Sequence, residues 1–86
     1  MVTENEVVDA LFKLVDEGAN PREAREAINQ KFPDWNDRNK LKRILPKVEN
    51  KFPAIRKTYI RKTSYFKIFL IGHDNIRARG KKLSEL

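Results

Sequence analysis

The chain has 86 residues, enough for one modest core of about three helices or an equivalent and too few for two. Its formal charge of +7 is unevenly placed: residues 1–35 hold four basic and eight acidic residues, whereas residues 36–86 hold fifteen basic and four acidic. The absence of cysteine excludes a disulfide framework and a thiolate metal site, and the longest apolar run, Ile68 to Ile71, is too short to span a bilayer. The acidic N-terminus does not have the pattern of a secretory signal, so the expectation is a soluble cytoplasmic protein without membrane contact. A positive surface built by the second half of the chain points to a polyanionic partner, with the first half as scaffold.

Thr3 followed by Glu6 is a capping box, which starts a first helix. Val7, Val8, Leu11, Phe12 and Val15 form its apolar stripe, and Gly18 closes it in the left-handed conformation. Asp9, Asp16 and Glu17 lie off the stripe with no neighbour to shift their titration, so they read as solvated surface. Asn20 as cap, Pro21 at the first helical position and Glu23 completing the box restart the chain as a second helix after a short corner. Ala24, Ala27, Ile28 and Phe32 make its buried side, and Pro33 stops it. Asp34, Trp35 and Asn36 form the next turn, with Asn36 as cap and Asp37 at the positive end of the helix dipole. Trp35 reads either as a base-stacking residue or as the anchor of that corner.

The third helical stretch, Asn36 to Phe52, carries Leu41, Ile44, Leu45, Val48 and Phe52 on one stripe. The opposite side offers Asn39, Arg43, Lys47 and Asn50, flanked by Lys40 and Lys42. Such a face suits a major groove, because guanidinium and amide groups match guanine and adenine edges and ammonium groups meet phosphates; a solvated basic face is the bland alternative. Pro46 either kinks this helix or opens a second short one. Lys31-Phe32-Pro33 recurs as Lys51-Phe52-Pro53, an echo explained by two helices that end alike.

Beyond Pro53, Ile55 to Ile60 and Tyr65 to Ile71 are rich in β-branched and aromatic residues around Arg61-Lys62-Thr63-Ser64, and read as a β-hairpin with a basic tip. Tyr65, Phe69 and Ile71 then share an apolar face that a second copy of the chain would cover, making a homodimer. Residues 73–86 form a basic tail or a short final helix. His73-Asp74 is a poor metal site because the chain has no other histidine, and no phosphate loop, catalytic triad or cysteine nucleophile is present. Neither an enzyme nor a cofactor, metal or small-molecule site is expected.

The order helix, helix, helix, basic hairpin over residues 3–72 resembles the winged-helix branch of the helix-turn-helix DNA-binding proteins. The resemblance implies an α+β fold in residues 1–72, with Asn20 to Phe32 as supporting helix, Asn36 to Leu45 opening the recognition helix and Arg56 to Lys67 as wing. It also implies double-stranded DNA binding by a small transcriptional regulator or DNA-organising protein. The contact residues expected are Arg38, Asn39, Lys40, Lys42, Arg43 and Lys47 on the helix, and Arg56, Lys57, Arg61, Lys62 and Lys67 on the wing, with specificity in Arg38, Asn39 and Arg43. A small inhibitor or adaptor of nucleic-acid machinery is the alternative. RNA binding on a platform of Tyr59, Tyr65 and Phe69 is the third reading.

Overall fold

Helix α1, Glu4–Asp16, begins where Thr3 Oγ1 accepts the amide of Glu6 at 3.3 Å, in a computed structural model that describes residues 2–71. Gly18 ends it with φ at +98°, a conformation in which a Cβ would be strained. Helix α2, Pro21–Lys31, opens on the reciprocal box: Asn20 Oδ1 accepts from the Glu23 amide (2.8 Å) and Glu23 Oε1 from the Asn20 amide (3.1 Å). A 3-10 turn, Pro33–Trp35, follows, and helix α3 spans Arg38–Glu49. Its cap is Asp37, whose carboxylate accepts the Asn39 amide at 2.8 Å, one residue later than the Asn36 expected. The helix runs through Pro46 and stops at Glu49, three residues before Phe52. Pro46 is exposed, so the Lys42 carbonyl that loses its amide partner lies on a side open to water.

Three stripes close the core. Val7 and Leu11 of α1, Ala24 and Ile28 of α2, and Leu41, Ile44 and Val48 of α3 have no exposed surface. Helix α1 packs on both α2 and α3, with Ala24 at a side-chain volume small enough for close approach. Trp35 is buried beneath the α2–α3 corner, which makes it the anchor of that turn. Each fully buried aliphatic side chain contributes roughly 1.5–3 kcal/mol of transfer free energy.

The hairpin does not exist. Residues 54–71 form two further helices, α4 (Ala54–Lys62) and α5 (Tyr65–Ile71), and every regular element among the described residues is helical. The expected α+β class and its wing are therefore replaced by an all-helical fold. Pro53 caps α4 in extended backbone, its carbonyl taking the amides of Arg56 and Lys57 at 3.0 Å each. Thr58 and Thr63 fit inside helical turns because their hydroxyls donate to the carbonyls of Ala54 (3.1 Å) and Tyr59 (3.0 Å). The supposed tip is the end of α4 plus Ser64, which adopts φ +56° and redirects the chain into α5.

Helix α5 lies over α2 and α3, and α4 rests on α5. Tyr65, Phe66 and Phe69 are buried at helical spacing, with edge-on ring pairs at 5.5 and 6.4 Å between centroids. Two expectations lose the hairpin face on which they were placed. Of the face assigned to a homodimer, Tyr65 and Phe69 belong to the chain's own core and Ile71 is partly buried. The same burial removes the open aromatic sheet on which the RNA reading stood, leaving Tyr59 alone exposed among its three rings. No helix among the described residues is long and apolar enough to cross a membrane. The tail from residue 73, with the His73-Asp74 pair, lies outside the described residues.

Candidate nucleic-acid interface

Helix α3 presents its charge because its stripe is so thoroughly consumed. With Leu41, Ile44, Leu45 and Val48 buried, the 100° step per residue turns Arg38, Asn39, Lys42 and Arg43 outward, and all four are exposed. No ion pair among the described residues neutralises Arg38, Lys42 or Arg43. The start of α3 is thus a cationic strip with one amide side chain in it. Asp37, the cap, is spent on the Asn39 amide.

The other expected contacts separate into groups. Lys47 bonds Glu4 of α1, and Lys51 pairs with Asp9 at 3.2 Å, so the acidic first helix bounds the strip along one edge. The bond from Lys47 holds the Glu4 carboxyl below its ordinary range, helped by the charges of Lys47 and Arg43. Lys40 donates to the Asp34 carbonyl at 3.3 Å and lies 5.6 Å from the centre of the Trp35 ring, bracing the corner. Arg61 bonds Glu49 at 2.6 Å and ties α4 to the end of α3. Arg56 donates to the Val15 carbonyl at 3.3 Å and stacks 5.7 Å over Phe52, well away from the strip. Lys57, Lys62 and Lys67 have no carboxylate partner among the described residues. Lys67 alone of these shares a hollow with α3, at Glu49.

The residue that sets the strip in place is not among the expected contacts. Arg25, on α2, is only 9% exposed, and its guanidinium donates to the carbonyls of Asn36, Phe69 and Leu70, each at 3.3 Å. It also lies 5.7 Å from the Phe69 ring centre. One cation therefore joins the residue before the α3 cap to the open carbonyls ending α5. Burial, and then the nearby charge of Arg38, lower the Arg25 pKa from its ordinary value. The available signal was position: Arg25 adjoins Ala24 and stands three residues before Ile28, inside the buried arc of α2.

A second junction fixes the start of α5. The Tyr65 hydroxyl donates to the Ala19 carbonyl in the α1–α2 corner, and burial, with Tyr59 and Glu23 adding to it, pushes its pKa up to about 12. No group of three or more acidic, histidine or cysteine side chains is placed to hold a metal ion among the described residues. No protein-family model matches the chain, and no curated protein or solved structure shows significant similarity to it.

Proposed function

We propose that the protein binds double-stranded DNA through the outer face of α3, with Arg38, Asn39, Lys42 and Arg43 as the contact residues and Lys67 as a flanking phosphate contact. The observation that carries this reading is the strip itself: three cations without an ion pair among the described residues, and an amide, on a helix whose other side is locked into the core. Arginine and asparagine supply the paired donors and acceptors that base edges require, and lysine supplies phosphate contact. The α3 N-terminus projects from an anchored corner, as a groove-reading helix must, without any wing. A cytoplasmic setting belongs to the same proposal.

The test is duplex binding as a function of salt. Wild-type affinity should fall steeply, and replacing Arg38, Lys42 and Arg43 together by Ala should flatten the logarithmic slope by roughly 2–3, about 0.9 for each phosphate no longer neutralised. The melting temperature should hold, because exposed substitutions usually change stability by within about 0.5 kcal/mol. A wild-type protein whose duplex binding ignores salt, or a triple variant that binds as before, refutes the proposal.

A further inference from the structure

Helix α4 is unlike the other helices in what it leaves outside. Of its residues only Ile60 is buried, while Ile55 is 79% and Tyr59 57% exposed, the two large hydrophobic side chains most open to water among the described residues. They stand one turn apart and form the rim of a groove of about 400 Å³ between α4 and the α1–α2 corner, floored by Val15, Ala19, Ile60 and Tyr65. Arg56 reaches into it, and its Nε is buried without a hydrogen-bond acceptor among the described residues. Lys62 continues the Ile55 and Tyr59 side of the helix one turn on. From Asn50 to His73 the sequence contains no aspartate or glutamate.

We infer that this groove is a docking site for an acidic segment of a partner protein, one that inserts a large apolar side chain beside Ile55 and Tyr59 and sets carboxylates against Arg56 and Lys62. Charge selects this occupant. A second copy docked face to face would bring Arg56 and Lys62 of both chains together, and residues 72–86 of this chain carry four basic residues against two acidic. A nucleic acid would satisfy the cations but leave Ile55 and the apolar floor unmatched. The groove volume accommodates an anchor side chain of the kind that dominates interface energetics. Glu23, whose charge acts on Tyr65, is already engaged in capping α2.

The site does not depend on the duplex reading. Arg61 and Glu49 join α4 to the far end of α3, and twelve helical residues place the Arg38 end about 18 Å away. Selection of peptides from a random displayed library against the full chain tests it. Selected peptides should combine Asp or Glu with Leu, Phe or Trp, and Ile55→Ala, Tyr59→Ala and Lys62→Glu should each weaken them by about tenfold or more at unchanged melting temperature. The Arg38, Lys42 and Arg43 triple variant should bind the same peptides as the wild type. Peptides without acidic enrichment, or binding indifferent to Ile55→Ala and Tyr59→Ala, overturn the inference. So does loss of single- or double-stranded DNA affinity in those two variants, which would make the face part of a nucleic-acid surface. Concentration-dependent self-association that Tyr59→Ala abolishes overturns it too, in favour of a second copy.

Discussion

Helices α3 and α4 follow one another across Asn50 to Pro53 and are both strongly basic, yet the core grips them differently. Four residues of α3 are buried, and its cations are carried on a rod that the rest of the fold holds fixed. A single residue of α4 is buried, and the helix is held from its edges: Arg56 on the Val15 carbonyl, Arg61 on Glu49, and the neighbouring α5. Similar composition therefore serves two purposes. Charge on a deeply seated helix is positioned charge, suited to reading a regular lattice of phosphates and base edges, whereas apolar residues on a shallowly seated helix are surface left for another molecule to cover.

Removing one isoleucine from each helix separates the two most strongly. Ile44→Ala opens a cavity at a site with no exposed surface and should cost about 2–5 kcal/mol, enough to unfold a marginal domain of this size. Ile55→Ala removes a side chain that already faces water and should change stability by no more than about 0.5 kcal/mol. Thermal or urea unfolding of the two variants decides it; comparable losses would mean that α4 is as deeply seated as α3.

Next in size is Arg25, the shared fastening of α3 and α5. Arg25→Met keeps most of the side-chain volume but strands the carbonyls of Asn36, Phe69 and Leu70, and should cost roughly 2–3 kcal/mol, the range for bonds to a charged donor. Because α4 is supported by α5, amide exchange should quicken in α4 and α5 more than in α1. Uniform quickening would show that the five helices open as one unit.

How far these features are readable from residues alone differs along the chain. The caps at Thr3 and Asn20, the Gly18 stop and the stripes of α1 to α3 are legible because each is a local rule, periodicity of 3.6 or a short polar side chain at a helix start. Residues 65–71 are not. In so short an apolar run Phe66, Ile68 and Leu70 fit a strand as well as Tyr65, Phe66 and Phe69 fit a helix, and the choice is made by packing on α2 and by Arg25 taking the end carbonyls. One local signal does speak against the hairpin: Arg61 to Ser64 contains no glycine or asparagine, which a tight hairpin turn wants. The α3 face is legible as a basic surface, but the neutralisation of Lys47 by Glu4 and of Arg61 by Glu49 crosses more than ten residues of sequence and needs the fold.

Tyr65 gives the comparison a pH dependence at the hinge between α4 and α5. Its folded pKa is raised above the ordinary 10.0 to about 12, so the fold favours the neutral phenol. The stabilisation is intact below about pH 10 and is lost as pH climbs towards 12. Between these limits the wild type should lose on the order of 1 kcal/mol more stability than Tyr65→Phe, a figure discounted for the screening that water still provides. Chemical denaturation at a series of pH values measures the difference. Parallel curves for the two proteins would show that the Tyr65 hydroxyl contributes nothing specific to the junction with Ala19.

The smallest effect separates positioned charge from spent charge within α3 itself. Arg43 and Lys47 are one turn apart on the same outer face, but among the described residues only Lys47 of the two is bonded to a carboxylate, that of Glu4. If duplex affinity tracks uncompensated charge, Arg43→Ala should weaken binding more than Lys47→Ala does. Glu4→Gln should strengthen it by roughly twofold to fivefold, the range of an exposed charge pair, because it frees Lys47 for phosphate. The Glu4 carboxyl is held below its ordinary range, so the pair persists above the usual carboxylate pKa and opens only as pH falls through the lowered value. Above that range, Lys47 should stay occupied and the ranking should hold. Equal losses from Arg43→Ala and Lys47→Ala, with no gain from Glu4→Gln, would mean that the α1 carboxylates do not set the edge of the binding strip, and that α3 acts as a diffuse patch of charge rather than as a bounded reading face.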